Sequence, residues 1–259
     1  MLSHLLLASL AAGAAATTIL RTGCGDVDPV WTPVDDKNVY TSVSYDGSTL
    51  CAIDTSANFV CTTPATTPLS WFTAYKNVQS GFVGGKLAGV VSDGKHYATY
   101  AFGPDATYAQ TDLLGPAVTT WGDKAIIGST ATTDTGFDTM YDTADTNGYL
   151  DGDMAVLAVS GRTLYGIDAS SVLFKGSLPV DDSMTASWVP VAGAPTLSEV
   201  SVGGGRVCGV TKTDKTVVCS TDDVNWTTLP DAKWAHVTVF GSTVFATDSS
   251  NQLSSYTFK

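Results

Sequence analysis

Basic charge is scarce in this sequence: 13 Lys and Arg stand against 25 Asp and Glu, a net charge of −12. No basic stripe exists to neutralise phosphates, which argues against nucleic acid, and the same balance argues against anionic membrane surfaces. Glutamate is nearly missing, with Glu199 the single copy. Histidine is limited to His4, His96 and His236, and neither of the last two lies in a G-x-S-x-G or similar nucleophile setting. No C-x-x-C spacing is present, so zinc has no obvious cage. No run is apolar for long enough to span a bilayer. No segment sustains a 3.6-residue period, which argues against helical architectures.

What is present is a repeat. A small residue follows a pair of mostly apolar residues six times, in Leu50-Cys51-Ala52, Leu87-Ala88-Gly89, Ile126-Ile127-Gly128, Leu164-Tyr165-Gly166, Val207-Cys208-Gly209 and Val244-Phe245-Ala246. The intervals are 37, 39, 38, 43 and 37 residues. Thr, Val and aromatic residues dominate each unit, and Gly and Asp punctuate it at short spacing, so the units are β-structured. A period near 40 of this composition signifies stacked supersecondary units. The clearest copy holds four short β runs: Leu197 to Val202, Arg206 to Val210, Thr216 to Cys219, and Trp226 to Leu229. The units run roughly over 38–75, 76–111, 112–150, 151–191, 192–229 and 230–259. The second and third are degenerate, and the third lacks a clean hairpin signal around Thr132 to Asp138. The last lacks a Trp-containing fourth strand, but Val30-Trp31-Thr32-Pro33-Val34 supplies one at the other end of the chain. The expected fold is therefore all-β: a six-bladed β-propeller of four-stranded blades, its ring closed by the N-terminal strand 30–34. Closure removes the unpaired sheet edges. The small-residue column is expected where neighbouring blades approach closely.

Residues 1–16 read as a secretory signal peptide: Leu5 to Leu10 is a short apolar run, and Ala14-Ala15-Ala16 offers the small residues of a cleavage site. Residues 17–259 then form a single propeller domain. Five cysteines fit an oxidising compartment. Cys51 with Cys61 and Cys208 with Cys219 occupy the same place in two units, where a hairpin would set each pair face to face, so two hairpin disulfides are expected. Cys24 is left over, either free in a monomer or linking a dimer.

Trp188-Val189-Pro190-Val191-Ala192-Gly193, Leu197 to Gly203 and Val207-Cys208-Gly209-Val210 together resemble the tectonin repeat, W-x-x-V-x-G, L-x-x-I-S-V-G and V-W-G-V-N. The resemblance extends more weakly from Trp31 to Lys259. The family's Trp before the small Gly is replaced throughout, and its following Asn is here Asp54, Asp168 or Thr211. Tectonin-type proteins include the tachylectin and egg-lectin members, secreted propeller lectins. The resemblance implies a secreted, non-catalytic carbohydrate-binding protein whose partners are extracellular glycans or glycoproteins, with no cofactor. A secreted protein-binding scaffold or effector is the alternative, and a degenerate propeller hydrolase the third reading.

No catalytic residue stands out. With 24 aspartates, carboxylate pairs of glycosidase type can always be found and carry no specificity. Asp145, Asn147 and Asp151 lie in an acidic stretch that partly fits a calcium loop. Thr143 and Met154 then stand where carboxylates are needed, so a solvated acidic turn is the favoured reading. Trp31, Trp71, Trp188 and Trp226 each begin a fourth strand, a periodic placement that points to packing between blades. Trp121 and Trp234 lie off that column and become ligand candidates. Tyr40, His236 and Glu199 join them, at or near the starts of inner strands. Tyr40 and Trp234 could equally fill the apolar slot taken by Met154 and Leu197 in sister units. Asn225-Trp226-Thr227 is a glycosylation sequon, which requires Asn225 to be exposed.

Overall fold

The computed structural model describes residues 29–35, 37–65, 68–114, 118–121, 125–132, 136–143, 147–177, 188–231 and 233–259. These residues form strands joined by turns and contain no helix. The first blade comprises β1's successors β2 (Tyr40–Tyr45), β3 (Leu50–Asp54), β4 (Asn58–Thr62) and β5 (Phe72–Lys76), where β1 is the separate strand Thr32–Asp35. The second comprises β6 (Ser80–Gly84), β7 (Leu87–Ser92), β8 (Lys95–Thr99) and β9 (Ala109–Leu114). The third is β10 (Val118–Trp121), β11 (Ala125–Thr132), β12 (Gly136–Thr143) and β13 (Asn147–Asp153). The fourth is β14 (Val156–Ser160), β15 (Thr163–Ile167), β16 (Leu173–Ser177) and β17 (Val189–Pro190). The fifth is β18 (Leu197–Gly203), β19 (Arg206–Thr211), β20 (Val217–Ser220) and β21 (Thr227–Thr228). The remaining strands are β22 (Trp234–Phe240), β23 (Thr243–Asp248) and β24 (Leu253–Thr257).

The reading of the sequence as six four-stranded blades is corrected on this point. Five four-stranded blades are built from consecutive strands, not six. The last repeat supplies only β22, β23 and β24. Its sheet has the order β1-β24-β23-β22 and exists as a four-stranded unit only through the distant strand β1. Thr32 pairs with Ser255 and Pro33 with Ser254, antiparallel. The strand at the other end of the chain thus covers the edge of β24 that would otherwise stay unpaired.

Two further expectations change. The third repeat does form its hairpin: β11 and β12 are eight residues each and pair from Ala125 opposite Thr143 to Thr132 opposite Gly136. Thr and Asp hide this hairpin at the sequence level because they weaken the apolar alternation. Two members of the small-residue column, Gly166 and Gly209, also have a different cause. Gly166 and Gly209 lie within a blade, where an added Cβ would meet Met154 Cγ and Sδ at 2.6 Å and Leu197 Cδ1 at 2.6 Å respectively. At these two positions the small residue makes room for the large side chain at or just before the start of the same blade's inner strand.

The spaces between blades hold the core. One buried cluster joins Cys51, Phe59 and Cys61 of the first blade to Val83 and Val90 of the second. Another joins Cys208, Val210 and Cys219 of the fifth to Trp234, Val237 and Val244 of the composite sheet. The disulfides sit inside these clusters. Cys51 pairs with Cys61 and Cys208 with Cys219, each with a Cα–Cα distance of 4.1 Å, at directly opposed strand positions. Cys24 and residues 1–16, the expected signal peptide, lie outside the described residues.

The innermost strands contact one another in the order β2, β6, β10, β14, β18, β22 and back to β2. A hydroxyl belt ties part of this ring together. The Val83 N–H donates to Ser44 Oγ (3.1 Å), Tyr45 N–H to Thr238 Oγ1 (2.9 Å) and Val239 N–H to Ser201 Oγ (3.0 Å). Ser44, Ser201 and Thr238 each follow the apolar residue opposite the small one in their own blade. Each hydroxyl thereby satisfies a backbone donor of the next inner strand that has no ladder partner.

Candidate functional site

Inner strands begin at one rim. At that rim β2, β18 and β22 share a register shift against their partners, between Tyr40 and Ser42, Leu197 and Glu199, and Trp234 and His236. The extra residue turns the strand start outward and leaves Ser42, Glu199 and His236 at equivalent positions. β-bulges of this kind re-aim side chains at the ends of sheets. Glu199 and His236 thus meet across neighbouring blades: His236 Nδ1 lies 3.2 Å from Glu199 Oε1, and their side chains stay 33% and 30% exposed for His236 and Glu199 respectively. A groove of about 450 Å³ opens beside Glu199, lined also by Ser198, Lys215, Lys233, Trp234 and Ser249. Lys215 Nζ donates to Ser198 Oγ (3.4 Å), and the Lys215 carbonyl accepts the N–H groups of Lys233 (2.9 Å) and Trp234 (2.8 Å), which fixes the groove's outer wall.

Trp234 belongs to this wall but is 6% exposed. Its ring packs on Trp31, centroids 4.1 Å apart, and Trp31 in turn donates from Nε1 to the Pro230 carbonyl (2.8 Å). The indole face is therefore occupied by the chain itself. Trp234 fills the slot that Leu197 and Met154 fill elsewhere, and its own Nε1 is buried without a hydrogen-bond partner. The Trp234→Leu variant is expected to fold and to lose only about 2 kcal/mol, since the aromatic contact is lost but the unsatisfied donor goes with it. Urea denaturation checks this; loss of the native fold would show that the slot demands an indole.

Tyr40 is fully enclosed, at 1% exposure. Its hydroxyl donates to Asp35 Oδ2 (2.7 Å), and burial first, then Asp35, raises its pKa well above the ordinary range. Asp35, a residue the sequence pattern did not mark, is the hub that fastens β1 to the first blade. Oδ2 also accepts Asn38 Nδ2 (2.9 Å) and Trp71 Nε1 (3.1 Å), while Oδ1 accepts the N–H groups of Lys37 (2.9 Å) and Asn38 (3.2 Å). Burial pushes the carboxyl up, but the hydrogen bonds from Asn38, Tyr40 and Lys37 outweigh it and hold the pKa at about 2. A carboxylate depressed on folding stabilises the protein above its unfolded value, and that stabilisation disappears as pH falls through the folded value. Wild type is accordingly expected to lose stability between about pH 4 and pH 2 with a slope that Asp35→Asn reduces. Parallel acid melts of the two proteins would contradict this.

Trp121 stands apart from the other candidates. It is the last residue of β10, opposite Ala125, whereas Tyr40 and Trp234 are first in their strands. The ends of the inner strands converge on the other rim, where Tyr45, Asp46, Gly84, Gly85, Gly203 and Phe240 line a channel mouth of about 180 Å³. The Gly85 N–H donates there to Asp46 Oδ2 (2.8 Å). Trp121's backbone therefore places it away from Glu199 and His236; its side chain lies outside the described set. Asp145 lies outside the described residues. Asn147 and Asp151 fall in β13, their side chains again outside the described set. Among the described residues no group of three or more His, Cys, Asp or Glu gathers as metal ligands.

The aspartates that punctuate the repeats cap their turns. Asp54 Oδ1 accepts the N–H groups of Ser56 and Asn58, Asp248 Oδ1 those of Ser250 and Gln252, and Asp168 Oδ1 that of Val172. These positions cap the turn between second and third strands, a task for which a short carboxylate suits as well as an amide. The Trp column packs between blades: Trp71 lies against the cluster joining the first blade to Phe245 and Leu253 of the composite sheet, Trp226 against that joining the fourth and fifth blades, and Trp188 against that joining the third and fourth.

No protein-family model and no curated protein matches the chain. Solved structures do resemble it. A gluconolactonase from Xanthomonas campestris is similar at a TM-score of 0.64 and 13% identity, covering 90% of each chain. The PQQ-bound aldose sugar dehydrogenase from Streptomyces coelicolor reaches 0.58 at 8% identity, covering 88% of this chain and 98% of that one. A β-propeller domain from Myceliophteria thermophila reaches 0.59 at 9% identity, covering 85% and 84%. At such identities the likeness establishes a shared fold, the β-propeller, and leaves the activity to the site itself.

Proposed function

We propose that this chain is a secreted, non-catalytic propeller that binds extracellular carbohydrate in the rim groove beside Glu199 and His236. One observation carries the reading: the two side chains come from neighbouring strands β18 and β22, meet at 3.2 Å, and remain about one-third exposed. The Glu199 carboxylate offers acceptors to vicinal hydroxyls in the groove, with Ser198, Lys215 and Lys233 beside it, while His236 holds that carboxylate from the adjoining strand. The groove's volume of about 450 Å³ is within the range of small-molecule sites. A pyranose would be held here by hydrogen bonds, since Trp234 presents no free face. The resemblance to tectonin-type lectins supports the same ligand class, and two disulfides are compatible with an extracellular setting.

A glycan array probed with the folded, disulfide-bonded protein tests the reading. Selective binding to a defined sugar class, weakened by Glu199→Gln, is the expected result. A flat response would overturn it and turn attention to the protein-binding scaffold.

A further inference from the structure

We propose that Asn225 is a site of N-linked glycosylation, occupied when the chain enters a secretory compartment that supplies a lipid-linked oligosaccharide. This inference rests on the secretion part of the functional reading, but on none of its carbohydrate-binding part.

Asn225-Trp226-Thr227 is the only N-x-S/T sequence in the chain, with a residue other than proline between. The structure places it on an exposed turn between β20 and β21: Asn225 and Thr227 are both exposed, and Trp226 is half-buried with its ring in the core between the fourth and fifth blades. The turn is built without using up the amide. Asp222 Oδ1 accepts the N–H groups of Val224 (3.0 Å) and Asn225 (2.8 Å), so backbone order comes from the aspartate. Asn225 Nδ2 spends one hydrogen on Asp222 Oδ2 (2.7 Å) and keeps a second. Substitution of that second hydrogen by a sugar leaves the turn's hydrogen bonds in place.

A second observation concerns the neighbourhood. Asp223 and Val224, immediately before Asn225, line a groove of about 400 Å³ together with Lys175, Val189, Pro190 and Val191. Val189 and Val224 are 60% and 68% exposed. A glycan rooted at Asn225 borders this groove directly.

The transfer balances without an oxidant or reductant. A bond forms between Asn225 Nδ2 and the anomeric carbon of the first sugar. The bond from that carbon to the lipid pyrophosphate oxygen breaks, and the pyrophosphate leaves with the electron pair. The proton lost from the amide passes to a base and then to water.

Two versions of the protein test this in a eukaryotic secretory host: the full chain with its own leader, and residues 17–259 behind an established secretion leader. Glycopeptide mapping and the mobility shift on peptide-N-glycosidase treatment are read on secreted material. The expected result is occupancy at Asn225, lost in Thr227→Ala and in Asn225→Gln, and kept in Thr227→Ser. Thr227→Ala leaves the Asp222–Asn225 turn untouched, so a folding defect in Asn225→Gln does not blur the answer. Secreted, disulfide-bonded protein with Asn225 bare overturns the proposal. Failure of the native leader alone, with Asn225 occupied behind the established one, overturns the secretion reading and supports the glycosylation site.

Discussion

Removing residues up to 35 is expected to collapse the stability of the whole ring. A chain of residues 36–259 loses β1 and with it three attachments: the ladder to β24, the Trp31 ring on Trp234 and Tyr256, and the Asp35 bonds to Tyr40 and Trp71. Loss of a packed Trp alone costs about 3–5 kcal/mol, and each lost hydrogen bond to a charged group about 1.5–3 kcal/mol. A total above about 5 kcal/mol is comparable with the whole stability of a domain. Relative to residues 17–259, the truncated chain should melt lower by roughly 10 °C or more, if it folds at all. It should also associate with rising concentration, because the bare edge of β24 can pair with another copy. Equal melting temperatures would show that β1 is an ornament on an independently closed ring.

Breaking the disulfides is the second large expected effect. Each closes a short hairpin, with sequence separations of 10 and 11 residues, and each lies fully buried in a cluster between blades. In the chain-entropy account a loop of this length contributes about 3 kcal/mol. The pairs Cys51→Ala with Cys61→Ala, and Cys208→Ala with Cys219→Ala, are each expected to cost about that much in urea denaturation. They sit in separate clusters, so the fourfold variant should lose nearly the sum, about 6 kcal/mol. Peptide mapping without reduction should return only Cys51–Cys61 and Cys208–Cys219 among these four cysteines. A peptide linking Cys61 to Cys208 would contradict the hairpin register.

The disulfide pairs were legible because two cysteines recur at matching places in two repeats, and a hairpin leaves them one way to meet. Closure by the N-terminal strand was legible for a similar reason: the last repeat lacks a Trp-bearing strand and Trp31 supplies one. The reason for two members of the small-residue column was not. Sequence shows that Gly166 and Gly209 are small, but only the structure shows Met154 and Leu197 lying over them. The hydroxyl belt was equally hidden, since Ser44, Ser201 and Thr238 read as ordinary β residues until the neighbouring strand's N–H groups are in place. A strand-start pattern collected Glu199, His236, Trp234 and Tyr40, but only burial separates them. The first two stay accessible, while the aromatic pair is consumed by packing against Trp31 and Trp71. Asp35 escaped notice because its partners, Tyr40 and Trp71, lie in a different strand and a different turn.

The most direct test of the binding account is calorimetric titration of one array-selected sugar into wild type, Glu199→Gln, His236→Ala and Trp234→Leu. All four are first shown to be folded by their unfolding transitions. The account predicts that Glu199→Gln and His236→Ala each lose about tenfold or more in affinity, equivalent to about 1.4 kcal/mol, while Trp234→Leu binds nearly as wild type does. Undiminished affinity in both Glu199→Gln and His236→Ala would contradict the assignment of the rim groove as the sugar site.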